Sequence, residues 1–139
     1  MIDGEISLKS LLFVTDGLEK MLGRNGANAI LRTAGQRAAV NLIEMLPLSL
    51  PEDDAALRSG AILKEFGFID ELLLLDSDTL QILGNHLMDE LNGLGLQGTG
   101  SARYYIIGLF EGFFKQISSS ARKIVSIEPG TESELWKLG

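Results

Sequence analysis

Residues 101–118 read SARYYIIGLFEGFFKQIS, and the fold follows from what that stretch needs around it. On a helix, Ala102, Tyr105, Ile106, Ile107, Leu109, Phe110, Phe113, Phe114 and Ile117 cover most of the circumference. A helix apolar nearly all round belongs inside a protein. Gly108 and Gly112 leave one bald strip along it. Each glycine costs about 1 kcal/mol against alanine in a helix interior, so a close approach by another backbone is expected to offset them. The stretch is read as the buried central helix of a small domain that wraps it and encloses something with it.

C-terminal to it, residues 122–128 alternate, Pro129-Gly130-Thr131 is a turn signal, and residues 132–138 return. That pattern predicts a β-hairpin. N-terminal to it lies a glycine-rich link over residues 92–100, preceded by a short helical piece over 86–91. Before that, an apolar run over 68–75, the turn Asp76-Ser77-Asp78 and an alternating run over 79–85 predict another hairpin.

The front of the chain is helical. Leu8, Leu11, Leu12, Thr15, Leu18 and Leu22 form a stripe at helical spacing, with Ser7 as cap. Residues 23–26, GRNG, break that helix. A second helix, capped by Asn25, runs over 26–46, with Ile30, Ala34, Ala38, Leu42 and Met45 inward and Arg32, Gln36 and Glu44 outward. Its small residues (Ala27, Ala29, Ala34, Gly35, Ala38, Ala39) permit close helix packing or a groove. Pro47 and Pro51 stop it. The acids Glu52, Asp53 and Asp54 open a third helix with Leu57, Ala61, Ile62 and Phe66 inward, ended by Gly67. The expectation is an α+β fold, with N-terminal helices, a β-hairpin, a central buried helix and a C-terminal β-hairpin, the helices packed on an antiparallel sheet.

At 139 residues the chain is read as a single domain, 1–139, with an N-terminal helix over 1–24 available for dimerisation. Its hydrophobic fraction of 45% and mean hydropathy of +0.18 exceed what a core needs, leaving apolar surface for a partner, a second copy or a ligand. A net charge of −7 argues against nucleic acid, which selects a basic face. With no cysteine there is no disulfide, thiolate zinc site or iron–sulfur cluster. No signal peptide is legible in MIDGEISLKS. Charged Glu111 and Lys115 interrupt the one long apolar run, so no transmembrane segment is expected and the chain is read as cytoplasmic.

Candidate chemistry is sparse. Gly93, Gly95 and Gly98 spell G-x-G-x-x-G, but outside the strand–turn–helix context a dinucleotide site needs, so a connector or flap is the reading. His86, the single histidine, lacks a nearby second ligand. Asp76-Ser77-Asp78 lacks the glycine and terminal glutamate of a calcium loop and reads as a turn. Glu128, Glu132 and Glu134 are expected to face solvent. Arg103, Tyr104 and Tyr105, with Arg32 and Arg37, are candidates to hold a polar ligand group at an apolar rim. No catalytic set assembles.

Several motifs together resemble a known family. They are LRTAG at 31–35 opening the long second helix, EFGF at 65–68 before a hairpin, the pair Gly108 and Gly112, a strand ending in Ile127-Glu128, and the last strand over 134–138. Across residues 25–138 the chain resembles the 4-vinyl-reductase or hydrocarbon-binding domain, whose fold is shared with Bet3-type trafficking subunits and haem nitric-oxide-binding domains. Family members often carry cysteines before the glycine pair and in the last hairpin; here those stretches read Ser101-Ala-Arg-Tyr and Pro129-Gly-Thr-Glu. The haem branch's Tyr-x-Ser-x-Arg signature is also missing, so no metal and no cofactor are expected. The resemblance implies a pocket for a small hydrophobic molecule (a lipid, an aromatic or a tetrapyrrole), often within a homodimer. The expected walls are Ile30, Ala34, Ala38, Phe66, Ile106, Phe110 and Phe113, with Arg37 and Tyr105 as polar guards. The alternatives are a structural dimeric interaction subunit, with Val40 and Ile43 outward, and an accessory in tetrapyrrole vinyl reduction.

Overall fold

Among the residues described, the chain runs α1 (Gly4–Leu42), α2 (Glu52–Glu65), β1 (Glu71–Asp76), β2 (Thr79–Leu83), α3 (Ala102–Ser118), β3 (Ile124–Glu128) and β4 (Ser133–Leu138). The structure is a computed structural model. It describes residues 4–42, 49–86, 88, 89, 101–118, 120, 122–130 and 132–139. The G-x-G-x-x-G stretch, Ile43, Glu44 and Met45 lie outside these residues; the short helical piece is seen at His86, Met88 and Asp89.

The expected α+β architecture is the one observed. The two hairpins join through β2 and β4 into a four-stranded antiparallel sheet of order β1-β2-β4-β3. Asp76 closes the first hairpin, its Oδ1 accepting the Asp78 backbone N–H at 2.8 Å. Across the sheet, Leu74, Leu80 and Trp136 share one row and Leu72, Ile82 and Glu134 the next. These rows form the inner face, which α2 and α3 cover. Phe110 meets Trp136 edge-on at 6.1 Å and stacks on Phe114 at 5.9 Å. Aromatic pairs of this kind add about 0.5–1.5 kcal/mol each beyond their burial.

Three expectations are corrected here. The break after helix one is Gly23 alone, at φ 77° and ψ 171°; helical geometry resumes directly after it. Positive φ is natural to glycine, so one residue suffices as a kink. On α2, Leu57, Ala61 and Phe66 face out, and the buried side is Ala55, Ala56, Ser59, Gly60, Ile62 and Leu63. Small residues are selected there because α2 lies close on β1: a Cβ on Gly60 would stand 2.5 Å from Leu72 Cβ. Finally, Glu134 is buried. Period-two alternation that turns Trp136 and Leu138 inward also turns Glu134 inward. Its Oε1 accepts from Arg103 Nε at 2.9 Å, Trp136 Nε1 at 3.0 Å and Asn85 Nδ2 at 3.3 Å.

Candidate functional site

The site begins with how α1 meets α3. After the Gly23 kink, the buried positions of α1 are Ala27, Leu31, Gly35 and Ala39, four residues apart. A row at that spacing is the ridge by which helices interdigitate. A Cβ on Gly35 would overlap the Tyr105 carbonyl oxygen and stand 2.8 Å from the Leu109 nitrogen. One on Gly108 would overlap the Arg32 carbonyl and stand 3.0 Å from the Gln36 nitrogen. One on Gly112 would be 2.5 Å from Ala39 Cβ. The bald strip of α3 is therefore used as expected, for backbone-to-backbone contact.

This contact rotates α1 relative to the sequence expectation. Ile30 is 46% exposed, and Ala34 and Leu42 are also exposed. Arg32 and Gln36, expected outward, turn toward α3 and meet Glu111, which is 5% exposed. Arg32 Nε donates to Glu111 Oε1 at 2.8 Å, and its Nη2 donates to Glu111 Oε2 and to the Ile124 carbonyl. Gln36 Nε2 donates to Glu111 Oε1 at 2.9 Å and the Ile124 N–H to Glu111 Oε2 at 2.9 Å. A buried carboxylate is tolerated because four donor groups satisfy it. The hydrogen bond to Glu111 raises the Arg32 pKa above its ordinary value, outweighing the lowering by burial. Glu111 thus ties α1, α3 and β3 together.

Beside this knot lies a groove of about 590 Å³. One wall is Gln36, Arg37 and Val40 of α1. The other is Glu111, Gly112, Lys115 and Gln116 of α3, and Arg122 and Lys123 close the end that leads into β3. The volume falls within the roughly 300–1,000 Å³ of small-molecule sites. A second hollow of about 450 Å³ opens on the outer side of α1, lined by Ala29, Ile30, Thr33, Ala34 and Arg37. Arg37 belongs to both.

The seven expected wall residues and the two polar guards are therefore distributed. Ile30, Ala34 and Arg37 share the outer hollow. Ile106, Phe110 and Phe113 are fully buried in the core and line neither of these two hollows. Ala38 and Tyr105 pack half-buried against that core. Tyr105 meets Phe68 edge-on at 6.2 Å, and burial raises its phenol pKa. Phe66 is 47% exposed at the far end of α2.

Other polar clusters hold the scaffold together. Arg122 Nη2 donates to Asp78 Oδ1 at 2.6 Å and its Nη1 to Glu52 Oε1 at 3.3 Å, pinning α2 to the β1–β2 turn. Its pKa is raised, chiefly by the bond to Asp78. Ser101, immediately before α3, donates its hydroxyl to Glu19 of α1 at 2.8 Å. His86 Nε2 bonds Asp70 Oδ1 at 2.9 Å at the rim of a hollow of about 480 Å³ that also includes Asn85, Arg103 and Glu134. Among the described residues no three His, Asp or Glu side chains gather as a metal-ligand set, and no helix is long and apolar enough to cross a membrane.

Sequence reasoning missed Glu111, Gln36 and Arg32 as a unit. The signal was available: an acid inside an otherwise apolar helix requires a cation or several donors. Compared with known proteins, the chain matches no family model and no curated protein.

Proposed function

We propose that this chain is a non-catalytic module, of the hydrocarbon-binding kind, that binds a small hydrophobic molecule in the cytoplasm as a sensor or carrier. The observation that carries the reading is the groove between α1 and α3. It is concave and of ligand size, and most of its lining surface is apolar although Arg37, Glu111, Lys115, Arg122 and Lys123 all contribute to it. The interior of the domain, by contrast, is filled by Phe110, Phe113, Phe114 and Trp136, so the ligand belongs at the α1–α3 junction rather than inside the core. The test is extraction of the purified protein with organic solvent, followed by mass spectrometry, together with thermal unfolding in neutral alcohols of increasing chain length. A co-purified apolar molecule, or stabilisation that grows with chain length, supports the reading. An empty extract together with no stabilisation by any alcohol overturns it.

A second reading is favoured by the outer side of α1. Phe13, Val14 and Met21 are each more than half exposed. Large apolar side chains grouped on one helix are what an interface presents, so assembly of two copies through α1 is compatible with, and separable from, ligand binding.

A further inference from the structure

The donors that line the α1–α3 groove fall into two sets. Some are consumed by the scaffold: Gln36 Nε2 by Glu111, Gln116 Nε2 by the Gly112 carbonyl, and Arg122 by Asp78 and Glu52. Glu111, the one acid in the groove, is matched by Arg32. The rest are free. Among the described residues no carboxylate pairs with Arg37, Lys115 or Lys123, all three exposed. This chain carries 19 acids against 12 Lys and Arg. In so acidic a chain, three cations without a carboxylate partner among the described residues, lining one groove of mostly apolar surface, are a local reversal of the molecule's charge.

We propose that the groove's ligand is an amphiphilic anion, a single carboxylate head on an aliphatic tail. The tail lies over Val40, Gly112 and the methylene stems of Arg37 and Lys115, and the head is met by the three free cations. This rests on the ligand-binding reading above and names the chemistry of the same site. A free molecule fits better than a membrane surface. The groove is concave, and a net charge of −7 opposes approach to an anionic bilayer over the distance of a Debye length.

The test is isothermal titration of the full chain with decanoate and with decanol, both kept monomeric, repeated on an Arg37→Gln/Lys115→Gln double variant. Both residues are exposed, so the variant folds, which thermal unfolding checks. The expected result is that decanoate binds about three- to tenfold more tightly than decanol, the size that two or three partly exposed ion pairs supply. The double variant and high salt both remove that difference. Equal binding of acid and alcohol, unchanged in the variant, overturns this proposal and leaves the ligand reading standing. Binding of neither compound overturns both. Binding to anionic phospholipid vesicles without affinity for decanoate also overturns the proposal, because it assigns the cations to a membrane surface.

Discussion

Gly35 of α1 and Gly108 of α3 touch backbone to backbone: a Cβ on Gly35 would come 3.0 Å from the Gly108 carbonyl carbon. This contact sets the depth at which α1 sits on α3. It thereby sets which α1 residues reach Glu111 and which wall the groove.

Gly108→Ala should therefore be disruptive although alanine favours helix. The added methyl meets carbonyl backbone, which cannot rotate away, so a loss of at least about 2 kcal/mol is expected, at the upper part of the range for overpacking. Gly17→Ala is the control. Nothing lies within 4 Å of its added Cβ, and a mid-helix glycine gives back about 0.5–1 kcal/mol when replaced. Urea unfolding of the two variants should shift in opposite directions; a neutral Gly108→Ala would remove the close contact from the account.

The Arg32–Glu111 pair should behave as one unit. Removing Glu111 alone leaves a partly buried guanidinium and the Ile124 N–H unmatched, and Glu111→Leu is expected to cost about 3–5 kcal/mol. Arg32→Met/Glu111→Leu should cost clearly less than the two single changes added together, with a coupling of about 1–3 kcal/mol. Additive losses in a double-mutant cycle would mean that the pair is not coupled.

These two cases explain what was legible in the sequence. The apolar run of α3, its glycine strip and both hairpins were, because their signals are local. The inward face of α1 was not. Hydrophobicity points to Ile30 and Leu42, whereas contact with a glycine strip selects for smallness, and the buried row is Ala27, Leu31, Gly35 and Ala39. α2 repeats the lesson, with Gly60 against Leu72 and Leu57 outside. The charge of Glu134 points to solvent, but alternation with Trp136 two residues on fixes it on the inner side of the strand. The groove itself was half legible: Arg37 was singled out, but Lys115 and Lys123 are brought to it only by the α1–α3 crossing and the start of β3.

The first hairpin should carry a small pH dependence. The Asp76 pKa lies below its ordinary 3.8, chiefly because its carboxylate accepts the Asp78 N–H. A lowered folded pKa gives stability that is present above the ordinary value and is lost as pH falls through the folded one. The melting-temperature gap between wild type and Asp76→Asn should thus be constant near about pH 6 and close toward about pH 2. A gap that widens in acid would contradict this sign.

Assembly through α1 is tested by charge. Phe13→Glu/Met21→Glu alters two side chains that are 56% and 81% exposed, so the fold should persist. Sedimentation should find the unaltered chain as a dimer and this variant as a monomer. A monomer in both removes the second reading and leaves the groove untouched.

The most direct measurement is an amide-shift titration of the labelled protein with decanoate. The account predicts that the largest shifts fall on Arg37, Val40, Gly112 and Lys115, with Phe110, Phe113 and the Trp136 indole unmoved. Shifts centred on the indole and the two phenylalanines would place the ligand inside the core and contradict it.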